Sequence, residues 1–486
     1  MAKLDLPSAD AIVVGSGPNG LAAAIRLAQS GWRVVVLEAE DTPGGGVRSA
    51  EVTLPGFVHD LYSAVYPFGF CSPFLSTLPL DHHGLEWAFP AAALAHPFDD
   101  GSAALLHHSL DETAAGLGPD GPAYQRLIGP LVADWQELFS GVLGPPRFPR
   151  HPFLMAHFGL HALRSGRGLA RSVFKTEKAR GFFAGLAAHS ILPLEDLSSS
   201  AIALMLAVAA HAAGWPVARG GSQQLTVALI SYLKSLGGQV ITGCSVESLG
   251  QLPLSPVVLL DITPRGLLRL TQDSSEFGSW DSYRGKLERF RYGMASYKMD
   301  WALGSAVPWR APECKLAGTI HLGGTLDEIC ESERKAGEGQ AAERPFVLFA
   351  QPSLFDPSRA PAGKQTAWGY CHVPNGYAGD MVSAIEQQVE RFAPGFRDCI
   401  LARSVMGPAD LERHNQNLVG GDIAGGALNL GQLFLRPGMG LYQTPSPRIF
   451  LCSSSTPPGP GVHGMCGFWA AETVLRSRKR LSNSAR

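Results

Sequence analysis

Residues 10–49 read DAIVVGSGPNGLAAAIRLAQSGWRVVVLEAEDTPGGGVRS, and this stretch decides the fold. An apolar run of strand length at 11–14 is broken by glycines and followed by an Ala-rich helical stretch at 21–29. Gly31 ends that helix, and residues 33–37 form a second, β-branched run. This order predicts a strand, a tight turn, a helix and a second strand. The stretch is therefore expected to form one βαβ unit.

Three glycines in the first turn are expected to have separate roles. Gly15 makes the turn, Gly17 lets a pyrophosphate approach the backbone, and Gly20 lets the helix pack closely on the strand. The helix N-terminus then faces the phosphates. Glu38 ends the second strand, where a carboxylate accepts hydrogen bonds from an adenosine ribose and repels a 2′-phosphate. The unit predicts a dinucleotide site that disfavours NADP.

The G-x-G-x-x-G pattern occurs three times, so its context must decide which copy binds a nucleotide. The copy at 116–121 (GLGPDG) lacks a preceding β-branched run and is predicted to be a loop. The copy at 459–464 (GPGVHG) follows a strand-like run, but no second strand with an acidic residue comes after it. Only the first copy has the strand, the helix and the acidic residue that dinucleotide binding requires.

A second glycine cluster narrows the choice of cofactor. Residues 44–46 are all glycine and come shortly after Glu38, and Arg48 follows them. An arginine here can neutralise the phosphates. A Gly-Gly motif soon after the ribose carboxylate is typical of glutathione reductase-like flavoproteins and is missing from NAD dehydrogenases. The alternative is an ordinary glycine-rich loop.

Composition excludes several classes of protein. The chain has 486 residues, which predicts two or three domains, and its net charge of −2 gives no electrostatic footprint for nucleic acid. The eight cysteines include no CxxC pair and no zinc-binding spacing, so neither a dithiol centre nor a metal site is expected. Unpaired cysteines and the lack of a signal peptide at the N-terminus indicate a cytoplasmic protein.

The region from 59 to about 214 is helical and rich in proline and aromatic residues. Residues 201–210 are too few to span a bilayer and are predicted to form a buried helix. Between 147 and 180 there are eight Lys or Arg and one acidic residue, together with apolar residues at helical spacing. Such a segment can lie on an anionic membrane surface. The alternative is a solvated helix whose inner face is core.

Two later segments return to the nucleotide-binding pattern. Residues 216–221 are predicted to form a loop, 222–236 a helix and 239–241 a strand, after which the backbone of Val246 can pair with adenine; residues 257–261 form a buried strand. Residues 448–452 are predicted to form a strand, 453–461 a Ser/Pro/Gly turn and 463–475 a helix, whose N-terminus is aimed at the far end of the same dinucleotide. Between 276 and 418 the aromatic, β-rich runs either floor a cavity or are core.

Together these pieces resemble the FAD-dependent family of phytoene desaturases and carotenoid isomerases, and especially its branch named for a pyridine nucleotide-disulfide oxidoreductase domain. The family's C-terminal flavin motif resembles G-A-S-T-H-P-G-x-G-V and stands here as SSSTPPGPGV at 453–462. Residues 420–437 (GGDI to QLFLRP) also resemble that branch. Pro457 stands where carotenoid desaturases carry His. No second strand, glycine turn and acid are present for a nicotinamide nucleotide.

The resemblance implies an α/β fold: a glutathione reductase-like FAD-binding Rossmann domain built from discontinuous segments, with a mixed α+β substrate domain. The predicted division is 1–60, 215–275 and 419–480 for the FAD-binding domain, 61–214 and 276–418 for the substrate domain with its helical subdomain, and 481–486 for a basic tail. The predicted FAD-binding residues are Gly15, Ser16, Gly17, Pro18, Asn19, Gly20, Glu38, Ala39, Gly44, Gly45, Gly46, Val47, Arg48, Val246, Ser454, Ser455, Gly461, Val462 and His463.

The expected activity is an FAD-dependent oxidation, desaturation or isomerisation of an apolar or lipid-like small molecule, with hydride passed to the flavin. His463, beside the predicted flavin turn, and His59, beside Asp60, are the candidates for proton transfer. The electron acceptor is open, and peripheral membrane contact is expected only through 147–180. A flavin amine oxidase-like enzyme and a non-catalytic FAD-binding regulator remain as alternatives.

Overall fold

A computed structural model describes residues 3–254, 256–272, 280–433 and 435–484. The strands are β1 (Ala11–Val14), β2 (Val34–Leu37), β3 (Ser49–Ala50), β4 (His59–Asp60), β5 (Trp87–Ala88), β6 (Ala92–Pro97), β7 (Ala103–Leu106), β8 (Val217–Ala218), β9 (Gln239–Ile241), β10 (Val257–Leu260), β11 (Ala295–Leu303), β12 (Ala317–Leu322), β13 (Val347–Ala350), β14 (Gln365–Val373), β15 (Ile400–Met406) and β16 (Ile449–Leu451). The helices are α1 (Pro18–Ala28), α2 (Pro67–Phe70), α3 (Leu110–Gly116), α4 (Gly121–Ala133), α5 (Trp135–Val142), α6 (Pro152–Ala162), α7 (Gly166–Val173), α8 (Glu177–Ala188), α9 (Ser199–Ala213), α10 (Gln223–Ser235), α11 (Pro264–Leu270), α12 (Asp281–Glu288), α13 (Leu326–Gly337), α14 (Val382–Phe392), α15 (Pro408–His414), α16 (Leu430–Leu433) and α17 (Met465–Ser484).

A parallel sheet gathers strands from three distant parts of the chain. Its order is β16-β10-β1-β2-β9, and every neighbouring pair is parallel. The four residues of β1, of β2 and of β10 are all buried, as expected for strands covered on both faces. The opening βαβ unit is therefore present as predicted, and β9, β10 and β16 lie beside it.

Helix α1 starts at the glycine turn and is held from the far end of the chain. Pro18 occupies its first turn, where a missing N–H costs nothing. Helix α17 packs across α1 because Gly467 presents no side chain: a Cβ there would collide with the carbonyl oxygen of Asn19. The C-terminal segment thus packs directly behind the nucleotide turn.

A second, mixed sheet has seven strands in the order β15-β11-β14-β13-β12-β6-β7. Only the β12–β6 pair is parallel; the other pairs are antiparallel. Strands β11 and β14 are the longest, nine residues each, and pair from Ala295↔Val373 to Leu303↔Gln365. One face of this sheet carries the residues that meet the cavity described below.

The helical layer is formed mainly by α4 to α9, with α9 at its centre. Residues Ala203–Ala210 within α9 are buried, which confirms the helix predicted at 201–210. In the described part of the chain, no helix has the length and apolar character needed to cross a membrane.

Three sequence expectations need correction. The 116–121 segment is not a loop: α3 ends at Gly116, residues 118–120 form a 3₁₀ turn, and α4 begins at Gly121. Pro119 and Pro122 each stand in a first helical turn, where proline is tolerated. The last helix begins at Met465 instead of 463, and it continues to Ser484, into the predicted tail.

Some expectations lie outside the described residues. These are residues 1–2 and 255 of the predicted FAD-binding segments, residues 273–279 on both sides of the predicted domain boundary, Phe434 within the 420–437 segment, and residues 485–486 of the tail.

Candidate cofactor and substrate cavity

One continuous cavity of about 1430 Å³ joins the parallel sheet to the mixed sheet and the helical layer. At one end it is lined by the β1–α1 turn and the end of β2, including Gly17 and Glu38. At the other end it is lined by α9 and by the face of the mixed sheet, including Met205 and Tyr370. A dinucleotide and a second molecule can therefore share one enclosed space.

The glycine turn and Glu38 form the nucleotide end of the cavity. Glu38 Oε2 accepts hydrogen bonds from the Ser16 backbone N–H, at 2.9 Å, and from the Ser16 hydroxyl, while Oε1 accepts from the Glu40 N–H at 3.0 Å. Glu38 is 8% exposed and lines the cavity. The carboxylate is thus fixed at the end of β2, where a ribose can reach it.

The two glycine clusters meet each other. A Cβ on Gly45 would lie 2.9 Å from the Cα of Gly17, and a Cβ on Gly17 would lie 2.7 Å from Oδ2 of Asp261. Any side chain at these positions would fill the cradle beside the α1 N-terminus. The Asp261 carboxylate accepts the Gly20 N–H at 2.9 Å, and burial raises its pKa to about 7.

Arg48 reaches the cavity from the loop after the second cluster. Its Nη2 donates to the Tyr62 hydroxyl and to the His414 carbonyl, each at 3.0 Å. Its Nε is buried without a partner among the described residues. A phosphate oxygen is a suitable acceptor for this orphaned donor.

Val246 and the C-terminal turn complete the proposed cofactor surface. Val246 lines the cavity, and its backbone N–H and carbonyl make no hydrogen bond within the described ranges, as a site for adenine pairing requires. At the other end, Ser454, Gly461 and Val462 line the cavity. Gly461 has φ +125°, which glycine adopts without strain.

Of the predicted FAD-binding residues, fourteen line this cavity: Gly15, Ser16, Gly17, Pro18, Asn19, Glu38, Ala39, Gly45, Gly46, Arg48, Val246, Ser454, Gly461 and Val462. Five do not and lie behind its wall: Gly20, Gly44, Val47, Ser455 and His463. Gly20 packs against the Gly15 carbonyl, the Gly44 N–H donates to the Ser16 hydroxyl, and the Ser455 hydroxyl donates to the Gly425 carbonyl. These five residues can hold the residues that line the cavity in position.

The residues present fit FAD. The fixed carboxylate, the cradle that a Cβ would fill, the orphaned Arg48 Nε and the unpaired backbone of Val246 each match one part of the adenosine diphosphate half. The turn at Gly461, at a separate part of the cavity wall, is suited to the flavin half. A cofactor of dinucleotide length can therefore be held by segments from both ends of the chain.

The two histidines predicted for proton transfer do not line the cavity. His463 is fully buried, and its Nδ1 accepts the Met465 N–H at 3.0 Å. His59 is also buried, with Nε2 2.7 Å from the Thr53 hydroxyl. Burial lowers the pKa of His463 to about 4 and that of His59 to about 3, so both imidazoles are neutral.

A buried ionic network that the sequence did not reveal lies under the cavity. Lys298 Nζ contacts Asp300 Oδ2, and Arg359 Nη2 lies 2.6 Å from Asp60 Oδ2. His59 Nδ1 is 3.6 Å from Asp300 Oδ1. Burial raises the pKa of Asp300, while the Arg359 guanidinium lowers that of Asp60 against the effect of burial. Of these five residues, Lys298 lines the cavity.

A histidine group missed by the sequence analysis lies beside the helical layer. His189, at the end of α8, lines the cavity, and its Nε2 is 2.9 Å from Nε2 of His321. Burial lowers the pKa of His189 to about 3, so one of the two rings donates to the other as a neutral pair. His372 on β14 pairs with Glu333 at 2.6 Å nearby. Only the register of distant strands could have revealed this group.

Apolar side chains form most of the remaining wall. Ile202, Met205 and Leu206 on α9 face the space, together with Phe158 on α6 and Trp215. Such a wall suits an apolar ligand, whose burial is favourable at roughly 25 cal/mol per Å² of apolar surface.

The basic region at 147–180 adjoins this wall and has an apolar outer surface. Phe148 is 88%, Phe153 90%, Leu160 70% and Leu163 50% exposed, and we call these four residues the apolar rim. Phe158 on the inner face of α6 is buried. The outer face of α6 is therefore apolar, whereas a solvated helix is expected to have a polar outer face.

Neither a disulfide nor a cluster of metal ligands is found among the described residues. All eight cysteines are free. Among the described residues, no group of three or more His, Cys, Asp or Glu is arranged to hold a metal ion.

Comparisons with known proteins agree with this site. Residues 13–71 match the family model described as an NAD(P)-binding Rossmann-like domain. The chain is 25% identical to pyridine nucleotide-disulfide oxidoreductase domain-containing protein 2 of Mus musculus, over 98% of this chain and 94% of that protein. It is 23% identical to a neurosporene-forming phytoene desaturase of Rhodobacter capsulatus, over 94% and 92%.

Among solved structures, cyclohexylamine oxidase from Brevibacterium oxydans matches with a TM-score of 0.59 and 16% identity, covering 97% of this chain and 100% of that one. At this identity the likeness concerns the fold. The resemblance predicted from the motifs is confirmed: along nearly its whole length the chain is similar to pyridine nucleotide-disulfide oxidoreductase domain-containing protein 2 and to phytoene desaturase, and it has the fold of flavin-dependent oxidoreductases, for which FAD is the implied cofactor.

Proposed function

We propose that the chain is an FAD-dependent enzyme that removes hydride from an apolar, lipid-like small molecule in a desaturation, dehydrogenation or isomerisation. The observation that carries this proposal is the single cavity, in which the residues suited to FAD and the apolar wall of α9 line the same space. When bound, FAD supplies the hydride acceptor. The protein's own residues hold the substrate carbon against it and exclude water.

In this proposal, cofactor binding and substrate binding are assigned to the segments that form the two sheets. Segments 1–60, 215–275 and 419–480 contribute the parallel sheet and the proposed FAD surface, and 61–214 with 276–418 contribute the substrate wall. His59 and His463 are less suited to proton transfer than the sequence suggested, because neither faces the cavity. His189, which does face it, is the better-placed neutral imidazole.

The amine oxidase alternative is less well supported. An ammonium substrate is best held by an open aromatic face. Here the rings of Trp368 and Tyr370 stack on each other at 5.8 Å with an angle of 8°, and Lys298 Nζ already lies 5.6 Å from the centre of the Trp368 ring. A second cation beside Lys298 would be repelled.

We also propose that the apolar rim rests on an anionic membrane surface. Arg147, which follows the cavity-lining Pro145 and Pro146, stands next to Phe148 of the rim, and Leu163 of the rim lines the cavity itself. Three of the eight basic residues of 147–180, namely Arg167, Arg171 and Arg180, pair with acidic residues, and the other five supply the complementary charge. An apolar substrate can then pass from lipid to cavity without crossing water.

Anaerobic flavin bleaching tests the proposed function. The FAD-loaded protein is mixed with a panel of apolar alkenes, long-chain alcohols, ketones, acids and amines, and the flavin absorbance is followed. At least one apolar compound is expected to bleach the flavin. If no compound does so, the non-catalytic alternative is favoured, and if only amines do so, the amine oxidase alternative is favoured.

A variant that fills the cavity tests whether flavin bleaching depends on the α9 wall. Ala201→Phe places a ring where α9 lines the cavity, whereas Ala213→Phe makes the same change on the same helix away from it. The first variant is expected to keep its FAD and lose bleaching, and the second to retain both. Equal bleaching by the two variants would contradict the proposed substrate wall.

A further inference from the structure

The floor of the cavity carries buried polar groups that an apolar substrate would leave unsatisfied. Ser296 and Lys298 on β11, Thr319 on β12 and Trp368 on β14 line the cavity, and we call them the polar floor. Their exposed fractions are 3%, 4%, 6% and 8%. The Ser296 Oγ, Thr319 Oγ1 and Trp368 Nε1 atoms make no hydrogen bond within the described ranges.

Strand register explains why residues so distant in sequence form one surface. Asp300 pairs with Trp368, Trp368 with Ala350, and Ala350 with Thr319, so these residues form one row across four strands. Side chains two residues apart on a strand share a face, which adds Lys298 beside that row. The surface is therefore built into the sheet.

Unsatisfied groups of this kind are rare in a core that nothing occupies. Burying a polar group without a partner costs free energy, so native interiors leave few of them. Here the orphaned indole N–H of Trp368 lies beside Lys298, whose Nζ is 5.6 Å from the centre of the Trp368 ring, on one wall of the cavity. A ligand atom that accepts a hydrogen bond would provide the missing partner.

The chemistry of these groups selects the ligand. Lysine and the indole N–H can only donate, and the two hydroxyls can donate as well as accept. Lys298 gives one of its three hydrogens to Asp300, which leaves two for another acceptor. The polar floor therefore needs a hydrogen-bond acceptor, and oxygen is the common one in lipid-like molecules.

The nearby charges are already balanced. Lys298 pairs with Asp300, and Arg359 pairs with Asp60. His59, the titratable group on the neighbouring strand, is neutral. An added ammonium group would have no unpaired carboxylate here, whereas a carbonyl-type oxygen needs no counter-ion.

We propose that the substrate is amphipathic, with an apolar chain along the α9 wall and a carbonyl-type oxygen held by the Lys298 ammonium and the Trp368 indole N–H, whose side chains lie side by side. This inference rests on the proposed function and narrows its substrate class. A pure hydrocarbon leaves these two donors unsatisfied and binds more weakly than a ketone of equal chain length.

The test compares four ligands of one chain length on the FAD-loaded full-length protein: 2-dodecanone, laurate, 1-dodecene and dodecylamine. Binding is followed by perturbation of the flavin absorbance spectrum. 2-Dodecanone is expected to bind at least about tenfold tighter than 1-dodecene, as one charge-assisted hydrogen bond provides, whereas laurate, whose carboxylate finds the nearby cations already paired, is expected to bind no tighter than the ketone. The hydrophobic effect alone predicts the reverse order for the ketone and the alkene.

Variants then identify the residues responsible. The double substitution Lys298→Met with Asp300→Asn leaves no unpaired buried charge, and Trp368→Phe is a second, smaller change that removes the indole N–H. The double variant is expected to lose the preference for oxygen by about tenfold. Lys364→Met, an exposed lysine just before β14, is the matched control and is expected to keep it.

Each outcome has a defined meaning. Equal or tighter binding of 1-dodecene, tightest binding of dodecylamine, or an unchanged preference in both variants overturns the inference. Loss of FAD from the double variant assigns Lys298 to the cofactor and also overturns it. Because FAD content is measured first, a protein that carries no FAD defeats the proposed function, whereas a loaded protein without the preference defeats only this inference.

Discussion

At the scale of single residues, the glycine at 461 gives a sharp test of the cofactor surface. Gly461 (φ +125°) lines the cavity, and Gly118 (φ +56°) has no atom within 4 Å of an added Cβ. Both positions have positive φ, but +56° lies in the left-handed region that L-residues sometimes adopt and +125° lies outside it, so Gly461→Ala carries more backbone strain than Gly118→Ala. Only Gly461→Ala is expected to lower FAD content, because its Cβ projects between Phe68 and His463 at the cavity wall.

The measurement is the flavin-to-protein absorbance ratio, with circular dichroism as a check on folding. Normal FAD content in Gly461→Ala together with loss in Gly118→Ala would mean that the wrong glycine motif had been assigned to the flavin.

Asp261 predicts a pH dependence of FAD binding. Its folded-state pKa of about 7 lies above the usual 3.8, so the fold favours the protonated form. The stability that this proton contributes is present below about pH 4 and is lost as pH rises towards 7. Above pH 7 the ionised carboxylate, at the α1 N-terminus beside the pyrophosphate position, is expected to weaken FAD binding by up to about tenfold per pH unit.

The check is a titration of apoprotein with FAD from pH 5.5 to 8.5. Asp261→Asn keeps an acceptor for the Gly20 N–H and is expected to flatten the profile. An equally steep profile in that variant would assign the titration to another group.

How far residues could be predicted depended on whether their partners were near in sequence. Glu38 and the glycines of the first turn belong to one contiguous unit, so their positions followed from the sequence alone. Lys298 and Trp368 face the cavity because β11 pairs with β14, which no local pattern reveals. The position of His463 beside the flavin turn was misleading, because its ring turns back to the Met465 N–H.

At the scale of elements, helix α6 and the apolar rim predict membrane binding. Phe153 and Leu160 are 90% and 70% exposed, and burying such side chains in lipid stabilises the bound state by roughly 1.5–3 kcal/mol each. Phe153→Ser with Leu160→Ser is therefore expected to weaken co-sedimentation with vesicles containing phosphatidylglycerol by at least about tenfold.

The control is Leu316→Ser with Leu401→Ser, two exposed leucines that lie outside the rim. Vesicles of pure phosphatidylcholine are expected to bind more weakly, because the basic residues lose their partners. Unchanged vesicle binding by the Phe153→Ser, Leu160→Ser variant would contradict the proposed membrane contact.

Regular elements with strong periodicity could be predicted to within a few residues. The strand expected at 239–241 is β9, and the helix expected at 222–236 is α10, Gln223–Ser235. The loop predicted at 116–121 is wrong, because glycine and proline favour loops in general but do not exclude the start of a helix. Pro119 and Pro122 instead start helical turns, where their fixed backbone angle is suitable.

At the scale of the whole molecule, one parallel sheet carries one nucleotide turn in the described part of the chain. The proposed FAD surface uses that turn, and the described residues contain no second turn of this kind for a nicotinamide nucleotide. Reduction of the FAD-loaded protein by NADH or NADPH in stopped-flow absorbance is therefore expected to be slow and not saturable. Rapid, saturable reduction would reveal a nicotinamide site among the remaining residues.

The parallel sheet could be predicted from the sequence because three remote segments each carried a recognisable nucleotide-binding pattern. Their strands β1, β10 and β16 are neighbours in one sheet. The mixed sheet was less accessible: its order brings β6 beside β12, a pairing between segments separated by most of the helical layer. The polar face of the cavity depends on that order, so it could be recognised only in the structure.

The central claim is that both ends of the chain build one FAD site, and the flavin released from purified protein tests it most directly. Denaturation followed by chromatography and mass spectrometry identifies the cofactor and its amount. The expected result is FAD in a ratio near one per chain, with marked loss in Glu38→Ala and no loss in Glu51→Ala, an exposed glutamate away from the cavity. Bound FMN or a nicotinamide nucleotide, or full FAD retention in Glu38→Ala, would contradict the claim.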